Sequence, residues 1–340
     1  MAKLAVDPDA LGGFLRDPET TMAESRIEEG DRDLIRNSQL EALFDRLSID
    51  LWSGHDVAPE TVAFAASNSS GNTLSEGAPK GSLVVVGTGI RSLGQLTVES
   101  IAHIKYADRV HYLVAEPIAV EVIRLLNPAG SRSLADLYED GKPRRSTYQQ
   151  MVDRILESMR SGLRTCAVFY GHPGVFVDPS HAAIRTARAE GFRAEMLPGI
   201  SAEDCMFADL GIDPATAGCQ SYEATDFLVN RRQFDPTSHV VIWQAGVLGD
   251  RTFSIRVSKS SALDLLVARL LETYPPEHQV CIYQAATVPG CLAGIRWSEL
   301  GQLDKSKLSI ISTLYLPPAR PPRIDLDLYF ALSGLGPPVE

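Results

Sequence analysis

From Gly81 onward the sequence predicts an α/β fold, on three observations. Short apolar runs such as Leu83–Val86 alternate with longer helix-patterned stretches. Those runs are continuous rather than alternating, as in strands covered on both faces. Several run into glycine-bearing turns before the next helix, and the crevice beyond strand carboxyl ends is where such sheets bind ligands. Leu83–Val86 and Arg109–Val114 read as strands around a helix at Thr97–Lys105. A helix at Thr147–Ser161 leads to a strand at Thr165–Tyr170, a helix at Ser180–Glu190, a strand at Arg193–Leu197 and a helix at Ser201–Asp209. Further strands fall at His239–Gln244, Gln279–Tyr283 and Leu308–Leu316, with a helix at Ser261–Glu272. Pro317–Pro322 ends the fold, and the apolar tail Leu326–Leu335 packs back or meets a partner.

Ahead of this unit, residues 1–50 read as a small all-α domain. Asp17-Pro18-Glu19 has the form of an N-cap followed by Pro at the first helical position. Ser38-Gln39-Leu40-Glu41 has the capping-box pattern, and Leu40, Leu43, Phe44 and Leu47 then repeat with helical spacing. So few large apolar side chains make a marginal core, so this domain needs another surface to pack on. Residues 51–80 change character: Ser, Asn, Gly and Ala dominate Ala66–Asn72, as in a flexible linker, around one apolar island, Val62-Ala63-Phe64-Ala65-Ala66. The expected organisation is therefore 1–50, 51–80 and 81–340.

Charge and composition remove several function classes. The 340-residue chain has a net charge of −11, with 12 acids against 6 bases in residues 1–50, so the basic footprint of a nucleic-acid binder is missing. No apolar run approaches a membrane span, and no signal-peptide core is found. Five cysteines (Cys166, Cys205, Cys219, Cys281, Cys291) lack CxxC spacing and are odd in number, which points away from a disulfide framework or a zinc site and toward the reducing cytoplasm.

Three loops stand out. Val84-Val85-Val86-Gly87-Thr88-Gly89-Ile90 is a strand entering a Gly-x-Gly turn; it lacks the third glycine of a dinucleotide fingerprint and is equally a plain tight turn. In Phe169-Tyr170-Gly171-His172-Pro173-Gly174-Val175-Phe176, two glycines and a proline hold an irregular loop. There His172 either organises the loop by a hydrogen bond or faces a ligand, and Tyr170 either packs or acts. In Leu197-Pro198-Gly199-Ile200-Ser201-Ala202-Glu203-Asp204, Ser201 is a natural N-cap whose backbone can also face a ligand.

In this order the loops resemble the tetrapyrrole methylase-like class of S-adenosylmethionine (SAM) methyltransferases. Along Tyr138–Tyr148 and Phe169–Leu228 the chain is similar to the borosin peptide-backbone α-N-methyltransferases. The resemblance spans about Gly81–Pro318 and implies a two-lobed SAM methyltransferase with the small N-terminal all-α domain added. It implies that Tyr138, Arg144, Tyr148 and Tyr170 face the peptide bond being methylated, Arg144 rather than Arg145 because it stands four residues before Tyr148. It implies that Gly87, His172, Val175, Phe176, Ser201, Ala202, Gln244, Tyr283, Ala285, Ser312 and Thr313 line SAM, with S-adenosyl-L-homocysteine as product, no metal, and an intertwined homodimer.

Such residues suit the chemistry. An amide nitrogen is a poor nucleophile because its lone pair is delocalised into the carbonyl. A tyrosine beside a guanidinium is expected to shift toward phenolate, so an Arg–Tyr pair can polarise the carbonyl and take the proton.

Residues 1–50, with Phe14–Glu19, resemble the recognition domain of bacterial borosin precursors. In fungal borosins the core peptide lies at the C-terminus, whereas no extended apolar core follows the enzyme unit here. The implied order is therefore reversed, with 1–50 as recognition domain, about 52–80 as the methylated segment of a ribosomally made peptide, and Val62–Ala66 as target. The alternative keeps 52–80 as a tether and places the substrate on a separate precursor. A tetrapyrrole C-methyltransferase and a non-catalytic peptide scaffold are the other two classes.

Overall fold

A computed structural model describes residues 20, 81–91, 94–114, 116–139, 141–249 and 260–333. The expected helical domain, the linker and the substrate island Val62–Ala66 lie outside the described residues, Thr20 apart. The chain divides into two compact units, with a boundary between Gly211 and Ile212 and with Ala285–Gly294 belonging to the first.

The first unit holds a parallel sheet of five strands: β1 (Ser82–Gly87), β2 (Arg109–Leu113), β3 (Ser131–Ser133), β4 (Arg164–Phe169) and β5 (Arg193–Met196), in the order β3-β2-β4-β1-β5. The continuous apolar runs have the expected cause, because both faces are covered. On one face Leu83, Val85, Ala167 and Phe169 meet α3 (Arg144–Arg160) and α4 (Asp178–Ala189). On the other, Val86, Cys166 and Val168 meet α1 (Val98–Tyr106) and α2 (Pro117–Leu126). Helix α3 buries Met151, Val152, Ile155, Leu156 and Met159, each worth roughly 1.5–3 kcal/mol.

The helix expected from Thr147 starts at Arg144, three residues earlier. Its first turn carries two arginines and no acid, against the preference of a helix N-terminus for negative charge, which is why sequence signals place the start too late. The α5 (Ala202–Leu210) end behaves as expected. Ser201 and Asp204 form a full capping box, and Gly211 closes the helix at φ 66°.

One buried histidine gives the first unit a pH dependence. His111 on β2 is bonded through Nε2 to Ser158 Oγ at 2.8 Å. Burial, with Arg109, Arg154 and Arg132 nearby, depresses its pKa from 6.5 to about 4. Its neutral form supports the fold above pH 6.5, and that contribution drains away as pH falls toward 4. The loss is worth about 3 kcal/mol. His111→Gln is expected to flatten this part of the pH–stability curve; denaturant titrations at pH 7 and pH 4.5 would check it, and an unchanged slope would contradict it.

The second unit is built on β6 (Cys219–Glu223), β7 (His239–Trp243), β8 (Gln279–Gln284), β9 (Gly294–Glu299) and β10 (Thr313–Leu316), in the order β6-β7-β10-β8-β9. The β6 and β7 strands run parallel, and β10 is antiparallel to both β7 and β8. Its core sets Val240, Ile242, Val280, Ile282, Leu314 and Leu316 against α7 (Ala224–Val229) and α8 (Ser260–Leu271). A short helix, α6 (Pro214–Ala217), precedes β6.

The strand expected at Leu308–Leu316 shrinks to β10, because residues 309–312 close a serine-rich turn instead. Strands β6 and β9 were not expected, being polar and only partly buried. The C-terminal tail forms α9 (Leu326–Ser333), with Leu328, Tyr329 and Leu332 exposed. None of the five cysteines forms a disulfide. No helix of the described residues is long and apolar enough to cross a membrane.

Candidate functional site

The three singled-out loops meet in the first unit at the carboxyl ends of β1, β4 and β5. Gly89 and Gly171 form a bridge, with N–H to O distances of 3.2 and 3.1 Å. Gly87 lies so close to the second loop that a Cβ there would stand 2.0 Å from Gly171 O and 2.8 Å from Pro173 Cδ. Gly199 of the third loop approaches the same oxygen, a Cβ there reaching 3.2 Å. The glycines thus serve close approach between loops.

His172 has a structural role whatever else it does, since Nδ1 accepts a hydrogen bond from Gly174 N–H at 2.9 Å. Ser201 caps α5, and its own N–H is taken by Asp204 Oδ2 at 2.7 Å. Ala202 opens that helix and is half-buried. Val175 and Phe176 are 39% and 47% exposed, and Phe176 holds φ 56°. An exposed aromatic in the left-handed region is costly for a non-glycine residue and marks a loop shaped for use.

Two further residues bear on this region and were missed in the sequence. Gln95 Oε1 accepts from Ile90 N–H and Arg91 N–H, each at 2.8 Å, while its amide nitrogen reaches Cys205 Sγ on α5 at 3.5 Å. Glu116, 5% exposed at the start of α2, faces Tyr170. Neither bears a local motif; only tertiary packing reveals them.

Tyr138, Arg144 and Tyr148 come together on the α3–α4 face. Tyr138 follows a short 3₁₀ turn (Ala135–Leu137) that is pinned to α3: Asp136 takes both oxygens' bonds from Arg154 at 2.7 and 2.8 Å, and Lys142 Nζ donates to Leu137 O at 2.8 Å. Arg144 is half-buried and Arg145 exposed, and the four-residue spacing puts Arg144 and Tyr148 on one helix face. A side-chain hydrogen bond runs from the Tyr138 hydroxyl to that of Tyr148.

Burial pushes both tyrosine pKa values up, and the Arg144 guanidinium opposes this without reversing it. The expected net shift toward phenolate is therefore corrected: desolvation outweighs the cation. The hydrogen bond lowers the pKa of Tyr148, the acceptor, and raises that of Tyr138, the donor, while Asp178 at the head of α4 pushes Tyr148 up. Tyr148 is thus the group of the pair better able to hold negative charge.

Tyr170 stands apart from them. It packs on the opposite face of the sheet, where burial first, and then Glu116 and Cys205, hold its hydroxyl well above the ordinary tyrosine range. Its chemistry is that of a neutral donor.

In the second unit, Gln244 follows β7 at φ 58° and stands at the N-cap of a 3₁₀ turn, Ala245–Val247. Tyr283 and Thr313 are register partners in the β8–β10 pair and are buried, as is Ser312. Ala285, half-buried, follows β8 and belongs to the first unit. Among the described residues no group of three or more His, Cys, Asp or Glu side chains is arranged to hold a metal ion.

Residues 82–291 match the model of the tetrapyrrole (corrin/porphyrin) methylases. The chain belongs to that family. Solved methylases share its fold. A uroporphyrin-III C-methyltransferase from Thermus thermophilus, 18% identical, aligns with a TM-score of 0.50 over 74% of this chain and 96% of its own. A cobalt precorrin-4 methyltransferase, 15% identical, aligns at 0.50 over 71% and 96%.

Among the curated relatives of the chain, the borosin resemblance holds. The methyltransferase/precursor of gymnopeptides from Gymnopus fusipes is 45% identical over 70% of this chain and 57% of its own length. That of omphalotin A from Omphalotus olearius is 41% identical over 75% and 62%. The type III borosin methyltransferase/precursor from Anomoporia bombycina is 44% identical over 77% and 31%. The chain therefore spans between about a third and two thirds of the length of the curated relatives it matches.

Proposed function

We propose that this protein is a SAM-dependent methyltransferase that methylates backbone amide nitrogens of a ribosomally made peptide. The observation that carries the reading is the Tyr138–Tyr148–Arg144 cluster, a hydrogen-bonded pair of half-buried phenols beside a guanidinium. The relatives support it, because their names join methyltransferase and cyclic-peptide precursor in one protein. Tetrapyrrole methylation draws support from the family model and the fold, but from none of the relatives named above.

The loop residues fit SAM. Val175 and Phe176 keep apolar side chains partly exposed beside a glycine turn, where a purine ring can lie, and Gly87 and Gly199 hold the loops around it close together. When bound, SAM supplies an electrophilic methyl group on a cationic leaving group. Arg144 stabilises negative charge developing on the peptide carbonyl and on Tyr148, Tyr148 takes the amide proton, and Tyr138 donates to Tyr148. The Tyr170 hydroxyl, kept neutral, orients the peptide or cofactor as a donor. No residue of this set requires a metal.

The substrate is the segment at about 52–80, with Val62–Ala66 as its target, in a chain that acts as a homodimer in the cytoplasm. Mass spectrometry of the full chain expressed in cells tests this. Methyl-mass increments on peptides from 52–80 are expected. Increments found only on a co-expressed separate precursor would overturn self-methylation, and methylation of neither would overturn the reading.

A further inference from the structure

Arg91 stands just beyond the carboxyl end of β1, which closes at Gly87, and directly after the bridge between Gly89 and Gly171. Its backbone is bonded on both sides. The N–H donates to Gln95 Oε1 at 2.8 Å, and the carbonyl accepts from Gly94 N–H at 3.0 Å and Gln95 N–H at 2.9 Å. The side chain is half-buried, and its Nε is buried with no acceptor. A buried donor of this kind is costly and calls for a reason.

The charge, too, is left unbalanced. Arg154, Arg164 and Arg232 each meet a carboxylate at 2.7 Å, whereas among the described residues Arg91 forms no ion pair. Its titratable neighbour is the Cys205 thiol of α5, which burial pushes up while the Gln95 amide and the Arg91 charge pull it down. Burial prevails, so the thiol stays neutral and offers no negative charge. Asp204, one residue earlier, is taken by Ser201 N–H and Oγ at 2.7 and 2.8 Å. Arg109 is also half-buried and outside any ion pair, but it opens β2, at the end of the sheet away from the loops. Ligands of such sheets bind at the other end.

A guanidinium is a planar fork that matches a carboxylate. Carried half-buried on a fixed backbone, it loses little freedom when it binds one. We propose that Arg91 receives a carboxylate group of a ligand at the ends of β1 and β4. The inference rests on the proposed methyltransferase reading, whose two ligands both carry that group. SAM has one at its amino-acid end, and the segment at 52–80 has Asp56, Glu60 and Glu76.

Calorimetric titration of the full-length protein with SAM and with decarboxylated SAM, alongside mass spectrometry of methylation rates on 52–80, tests it. Arg91→Met keeps the stem and removes the charge. If SAM supplies the carboxylate, the unaltered protein is expected to bind SAM about 10- to 100-fold more tightly than its decarboxylated form, and Arg91→Met to bind the two alike. If the peptide supplies it, Arg91→Met is expected to keep the SAM Kd within about twofold and to slow methylation about 10- to 100-fold. Asp56→Asn, Glu60→Gln and Glu76→Gln together are then expected to slow it equally, and adding Arg91→Met to slow it no further. Arg91→Lys keeps the charge without the fork and serves if Arg91→Met does not fold; about a three- to tenfold loss is expected in the same measurement.

Because the buried donor it removes is unpaired, Arg91→Met is expected not to lower the melting temperature. An arginine that only stabilised the fold would do the reverse, lowering the melting temperature while folded protein kept its SAM affinity and methylation rate. That outcome, or SAM affinity, preference over decarboxylated SAM and methylation rate all unchanged in Arg91→Met, would overturn the inference. Failure of the unaltered protein to bind SAM would instead overturn the site reading.

Discussion

Tyr148→Phe is expected to lower peptide methylation by about 10²- to 10⁴-fold, while SAM affinity stays within about threefold. The substitution keeps the ring that packs on the α3–α4 core and removes only the oxygen that accepts from Tyr138 and lies beside Arg144. Because burial raises its pKa above the ordinary value of 10, Tyr148 is mostly protonated at neutral pH. A rate that depends on its phenolate climbs with pH, by about tenfold per unit below the pKa. The unaltered protein is expected to show that climb, and Tyr148→Phe to lose it. Arg144→Met raises the pKa of Tyr148 further, so it is expected to lower the rate at each pH while preserving the slope. Peptide-resolved mass spectrometry of initial rates from pH 7 to 9 distinguishes these outcomes. Wild-type rate and slope in Tyr148→Phe would remove it from the mechanism.

Gly87→Ala is expected to destabilise the first unit by about 3 kcal/mol, roughly 6–12 °C in melting temperature, and to weaken SAM binding at least about tenfold. A methyl group 2.0 Å from Gly171 O cannot be accommodated by a side-chain rotation, because its neighbour is backbone. That oxygen is itself held by Gly89 N–H, so moving it parts the first two loops and disturbs Pro173 and Gly199. Gly191→Ala is the control: φ there is +83°, but nothing lies within 4 Å of the added carbon. It is expected to cost roughly 1–2 kcal/mol through backbone strain alone and to leave SAM binding unchanged. Equal melting temperatures for Gly87→Ala and the unaltered protein would show that the loops can separate freely.

The first sheet was more legible than the second, for a physical reason. Strands such as Leu83–Val86 and Thr165–Phe169 are apolar on both faces because helices cover both, so composition announces them. Strands β6 and β9 flank the second sheet and carry polar, half-exposed residues, so they owe their form to pairing with β7 and β8. Residues 308–312 looked like the start of a strand but close a turn, because Gln284, some 25 residues away in sequence, supplies donors to the serine hydroxyls. Helix α3 begins at Arg144 although a cation is unfavourable there, and rule-breaking of that kind gathers at functional sites.

Sequence alone determined the α/β class from Gly81, the three glycine-bearing loops, the capping box at Ser201 and the family, because each is written in local pattern or long shared similarity. Tertiary structure decided what local pattern cannot carry. It brought Tyr138 and Tyr148 into a hydrogen bond beside Arg144 rather than Arg145, and left Tyr170 to Glu116 on the other face of the sheet. It also reversed the expected sign of the tyrosine shifts. A guanidinium four residues away is visible in the sequence, but the water removed from a phenol by packing depends on every element around it, and there desolvation is the larger effect.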